Sequence, residues 1–190
     1  MNAFDSARMV EAESLAILKP FLEDYSSGSY WISAKGPLAK CFQEQHGDVL
    51  FVDTTGTMKS VEMKAERKHT GNLFMEIWSN RNFDDRSSFL DRGCNPGWLS
   101  KLRSDYLFYH FLDRDTLYIL NLWKLQRWAF GCRDGRAHIY DREYSEVVQR
   151  RHEQRNITVG RLVPLADLKS AGLVKVFFPK QSELWPVAAE

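Results

Sequence analysis

The 190-residue chain has only three cysteines. Cys41, Cys94 and Cys132 are odd in number and lie far apart, which excludes a recognisable zinc spacing or disulfide framework and leads us to expect a reducing, cytoplasmic setting. Charge of one sign is lacking too: 26 Lys and Arg against 25 Asp and Glu leave a net charge of +1. That excludes a uniformly basic coat, but a local basic patch would still suffice to meet nucleic acid. No apolar run approaches the length that spans a bilayer. The start, MNAFDSARMVEAES, carries acids and no apolar core, so no signal peptide and no membrane partner are expected. Repeats, low-complexity tracts, P-loops and dinucleotide glycine motifs are missing as well. The histidines (His46, His69, His110, His138 and His152) show no ligand spacing, and in the sequence none pairs obviously with a cysteine or serine for nucleophilic catalysis.

What the chain does have is core-forming material. Its 44% hydrophobic and 13% aromatic content argues against disorder. Its length fits a single domain over 1–190, with a core over 1–121 and a C-terminal extension over 122–190 packed on it. Residues 7–24 have apolar positions at helical spacing, namely Val10, Ser14, Ile17, Leu18, Phe21 and Leu22, although Pro20 threatens to kink or end the helix. Strand signals follow: one near 30–34 or 38–44, a buried one at 48–53, a tight turn at Asp53-Thr54-Thr55-Gly56, and a returning strand over 59–68. A further strand fits 72–78, and 80–96 reads as a loop. Helices are expected over 97–112, 123–130 and 141–155, a strand at 116–121, and a strand, short helix and strand at the end. The order predicts an α/β domain with a mixed sheet.

The chemistry concentrates on the strand at 59–68. Side chains alternate faces along a strand, so Glu62, Lys64, Glu66 and Lys68 share one face, while Val61, Met63 and Ala65 share the other. The spacing acid-x-Lys occurs three times, at Glu62/Lys64, Glu66/Lys68 and Asp167/Lys169, so it carries little alone. A solvated charged face is the competing reading. Only the first copy follows a strand that opens with an aspartate, Asp48. In a hairpin the start of one strand lies beside the end of the next, so Asp48, Glu62 and Lys64 should converge. Two carboxylates suit a hard divalent cation. Such an ion polarises a phosphoryl oxygen and acidifies bound water. A nearby lysine positions the water or offsets charge on the phosphate.

The segment GDVLFVDTTGTMKSVEMKAE resembles the PD-(D/E)XK nuclease superfamily, which includes restriction endonucleases and Holliday junction resolvases. The resemblance covers roughly residues 7–121. It implies a restriction endonuclease-like αβββαβ core with a central mixed sheet, and hydrolysis of DNA phosphodiester bonds with Mg²⁺ or Mn²⁺. Asp48 takes the place of the motif aspartate, and Glu62 and Lys64 that of its acid-x-Lys part. Gly47 stands where the motif has proline. Many members carry an acid on the first helix, for which Glu11 is the better candidate and Glu13 the weaker; Glu11 is expected within the apolar stripe, where its charge would need a metal.

The expected function is therefore a Mg²⁺/Mn²⁺-dependent endonuclease, a hydrolase acting on DNA, with RNA left open and a homodimer considered because two strand cuts need two sites. The alternative is a catalytically inactive protein on the same fold, binding nucleic acid or a protein partner. Arg67, Lys68 and Lys101 are the candidate nucleic-acid contacts, beside further basic groups at Arg81, Arg86, Arg150, Arg151 and Arg155. Asp53 reads as a turn former and Glu76 as a member of a buried structural ion pair rather than site residues. Lys101 and Asp105 would form a pair on the 97–112 helix. Trp98, Tyr106, Tyr109, Trp123 and Trp128 read as core.

Overall fold

The computed structural model describes residues 3–31, 42–43, 46–53, 55–80, 95–133, 136–140, 144–150 and 157–180. The alternative first strand at 38–44, apart from Phe42 and Gln43, lies outside them. So do most of the 80–96 loop and Arg81, Arg86, Arg151 and Arg155. The fold is mixed α/β, with a mixed six-stranded sheet and a second sheet of four strands. The chain divides into two compact units that alternate along the sequence. Met1–Thr70, Arg103–Leu122 and Val174–Glu190 make the first, and Gly71–Leu102 with Trp123–Leu173 the second.

In the first unit, helix α1 (Ala3–Tyr25) precedes strands β1 (Gly28–Trp31), β2 (Val49–Val52) and β3 (Met58–Glu66). β1, β2 and β3 are mutually antiparallel neighbours. α1 continues through Pro20. Leu18, Phe21 and Leu22 on either side of it are all buried, and the exposed proline sits on the opposite face. That burial outweighs the one hydrogen bond a proline removes. The three side chains pack with Val61 and Met63 of β3, as the strand's alternation requires.

The expected helix over 97–112 is not formed. Only Trp98–Lys101 is helical (α2, in the second unit), and Tyr106–Phe111 is strand β6. β6 lies parallel to β3, with Val61 opposite Tyr106 and Glu66 opposite Phe111. Its YLFYHF run is buried at all but its first position. Aromatic side chains fit a pleated strand buried on both faces, and that packing overrides the helix-like spacing. Lys101 and Asp105 therefore do not lie on one helix. Instead the Asp105 carboxylate accepts hydrogen bonds from Ser60 N (2.8 Å) and Ser60 Oγ (2.9 Å), tying the turn before β6 to β3. β7 (Thr116–Asn121) and β12 (Val174–Phe177) complete the sheet in the order β1-β2-β3-β6-β7-β12.

In the second unit, β4 (Asn72–Asn80) and β5 (Asn95–Pro96) pair with each other. Helix α3 (Leu122–Phe130) starts at the last residue of the first unit and runs into the second. A two-stranded hairpin follows, β8 (Cys132–Arg133) with β9 (Arg136–Ala137). The expected helix over 141–155 is also replaced: Ser145–Arg150 is strand β10, antiparallel to β11 (Ile157–Pro164). Its Val147–Val148 pair favours a strand once β11 offers backbone partners. The sheet order is β10-β11-β4-β5. The end follows expectation, with helix α4 (Leu165–Ser170) between β11 and β12.

Candidate functional site

Gly47 sets the entry to β2. Its φ is +80°, and a Cβ there would come within 2.4 Å of the Val61 carbonyl oxygen. Proline, confined to φ near −65°, cannot take this conformation. Gly47 N donates to the Gln43 carbonyl (2.8 Å), a bond proline would also remove. The next residue, Asp48, donates its backbone N–H to the Val61 carbonyl (2.7 Å) and accepts the Met63 N–H on Oδ2 (2.8 Å). The main chain of β3 thus clamps both the backbone and the carboxylate of Asp48. Gln43 Nε2 donates to the other carboxylate oxygen. Sequence reading missed Gln43, because nothing in its spacing marks an amide that folds back onto the strand.

Glu62 and Lys64 lie on the β3 face opposite Val61 and Met63, and Lys64 Nζ donates to Glu62 Oε1. Glu62 is only 7% exposed. Burial raises its pKa above the usual carboxylate range; Lys64 opposes the shift, and Asp48 and Glu11 add to it by like-charge repulsion. Asp48, Glu62 and Lys64 are therefore brought together at the head of the β2–β3 hairpin. Three carboxylates act on this neighbourhood against the lysine, an excess of negative charge.

Glu11 is exposed rather than held in the apolar stripe, where Val10, Ser14 and Leu18 are buried. Solvent satisfies its charge, so the argument that burial demands a metal does not hold. It borders a small recess with Ser14, Leu15, Met63, Lys64 and Ala65. Glu13 is exposed and pairs with Arg67 at 3.0 Å. Lys68 is exposed beyond the end of β3. Lys101 is exposed on α2 and belongs to the second unit.

The other acid-x-Lys copies are accounted for differently. Glu66 accepts the hydroxyl of Tyr109, and Lys68 lies past the strand. Asp167 and Lys169 are on helix α4, where residues two apart diverge. Asp53 is a turn former: Oδ1 accepts Thr55 N (2.9 Å), Thr55 Oγ1 (2.6 Å) and Thr57 N (2.9 Å). These bonds, the Thr55 hydroxyl foremost, lower its pKa. Glu76, in the second unit, accepts the Ser79 hydroxyl.

Hard oxygen donors with an excess of negative charge fit a divalent cation in kind. Asp48 and Glu62 are the residues that would hold it. Among the described residues, however, no group of three or more His, Cys, Asp or Glu is assembled to hold a metal ion, and the carboxylates are engaged by Gln43, Met63 N and Lys64. No protein-family model, curated protein or solved structure matches the chain.

Proposed function

We propose that the chain is a Mg²⁺- or Mn²⁺-dependent nuclease that hydrolyses DNA phosphodiester bonds. The observation that carries this reading is the meeting of Asp48, Glu62 and Lys64 on adjacent strands, with Glu62 buried beside like charges. The order α1-β1-β2-β3 followed by a crossover to a parallel β6 supports a restriction endonuclease-like core. Here the crossover is the 71–102 segment, which ends in α2, rather than a single helix.

Asp48 and Glu62 are the ligands in this reading. The Met63 N–H holds the Asp48 carboxylate facing β3. A bound Mg²⁺ or Mn²⁺ supplies Lewis acidity toward a phosphoryl oxygen. Lys64, tethered to Glu62 and about a third exposed, places its ammonium where it orients the attacking water or offsets charge on the phosphate. The test is incubation with supercoiled, branched and single-stranded DNA in Mg²⁺ or Mn²⁺. Cleavage should fall by on the order of a hundredfold or more in Glu62→Gln and in Lys64→Ala. Cleavage unchanged in either variant would remove the proposed centre.

A second reading is a catalytically inactive protein on this fold that binds nucleic acid or a protein partner. The observation favouring it is that the carboxylates already have protein donors. Titration with Mn²⁺ separates the two readings: saturable binding lost in Asp48→Ala supports the enzyme, and no binding supports the inactive form.

A further inference from the structure

Helix α3 has one face fastened to its surroundings and one left to solvent. Leu125 and Ala129 are buried. Gln126 Nε2 donates to the carbonyls of Leu99 (2.9 Å) and Leu102 (3.0 Å). Trp128 packs edge-on against His138, with ring centroids 4.4 Å apart. Trp123, which its sequence context assigned to the core, is instead 59% exposed, and Phe130 is 37% exposed. Lys124 and Arg127 are exposed on the same side. Positions 123, 127 and 130 follow helical spacing and form one stripe. The Arg127 guanidinium lies 4.8 Å from the Trp123 ring centroid. The helix, LWKLQRWAF, contains no acid.

We propose that this stripe binds single-stranded nucleic acid, with a base stacked on Trp123 and with Arg127 and Lys124 toward phosphates. Exposed Arg127 and Lys124 on a helix that contributes no acid complement a polyanion. An indole backed on one side by a guanidinium offers its other face to a planar ring, the pairing of stacking platform and cation that single strands use. Duplex bases are stacked on one another and offer no such face. A bilayer surface is less well matched, because only two apolar side chains stand out and a guanidinium lies between them. Binding stands on α3 alone; only the bound strand's being a substrate rests on the function proposed above.

The test is fluorescence anisotropy of a labelled oligothymidylate at low salt in EDTA, where metal-dependent cleavage is silent. The wild-type protein should bind and show quenched tryptophan emission. Trp123→Ala should weaken binding about tenfold, the size of one lost stacking contact. Trp123→Phe should recover most of that loss. An oligonucleotide of equal length and charge with abasic sites should bind more weakly than the intact one. Because Trp123 is exposed, circular dichroism of the variant should be unchanged. Equal binding by Trp123→Ala, equal binding of the abasic strand, or capture of phosphatidylglycerol vesicles in place of the oligonucleotide overturns the proposal. Binding without cleavage in Mg²⁺ leaves it standing and counts against the nuclease alone.

Discussion

At the scale of single residues, Glu62 concentrates the tension between stability and use. Its pKa is raised by burial and by its like-charged neighbours. A carboxyl with a raised folded-state pKa contributes stability below its unfolded value, and that contribution is lost as pH rises through the folded value. In metal-free buffer at neutral pH, Glu62→Gln should therefore raise the melting temperature, by roughly 2–4 °C for each kcal/mol relieved, while lowering the proposed cleavage. A lower melting temperature would show that the Lys64 pair outweighs the burial cost. His110 acts in the opposite direction. It is fully buried, shares a hydrogen bond with Ser14 Oγ through Nδ1 (2.9 Å), and has Asp115 3.5 Å from Nε2. Ser14 is buried too, so this trio ties α1 to β6. Burial lowers the His110 pKa; Asp115 and Glu13 oppose that shift and Lys180 adds to it. Stability from a neutral His110 is complete above the ordinary histidine range near 6.5 and is lost as pH falls through the lowered folded value. Urea midpoints measured down through this range should drop more steeply for the wild-type protein than for His110→Gln.

At the scale of elements, the β2–β3 hairpin depends on the backbone of Gly47. Gly47→Ala must hold a positive φ and drive a Cβ into the Val61 carbonyl. A loss on the order of 1–3 kcal/mol is expected, measurable by denaturant unfolding, with cleavage reduced because Asp48 is displaced. Asp105 is the corresponding tie between β3 and the turn before β6. Asp105→Ala leaves Ser60 N without its carboxylate partner and should cost about 1–3 kcal/mol. Elements with a single unambiguous period were legible in the sequence: α1, the β2–β3 hairpin, β7, α3 and the final strand-helix-strand. β6 and β10 were not. An apolar run of helical length and a charged run have no period that excludes a strand, and their pairing with β3 and β11 decided them.

At the scale of the whole molecule, the proposed cation would be linked to folding. An ion that binds only the folded protein stabilises it by about 2.7 kcal/mol at a hundred times its dissociation constant. Mn²⁺ should therefore raise the melting temperature of the wild-type protein and leave Asp48→Ala unmoved. An equal rise in both would place the ion elsewhere. The division into two units runs across the sequence rather than along it, because β6 and β7 return to the sheet that β3 began and β12 joins it from near the end of the chain. Nothing in local composition marks those returns.

The sequence alone put Glu62 and Lys64 on one face of a strand, by parity, and led us to expect Asp48 at the same end of a hairpin. Parity also put Val61 and Met63 together on the other face, and the structure packs that face with Leu18, Phe21 and Leu22 of α1. Only the tertiary structure decided which acid-x-Lys copy is buried, that Glu11 stands in solvent, and that Gln43 and Met63 N grip Asp48. Burial and long-range hydrogen bonds depend on what packs opposite a residue, and a single sequence does not contain that information in its spacing.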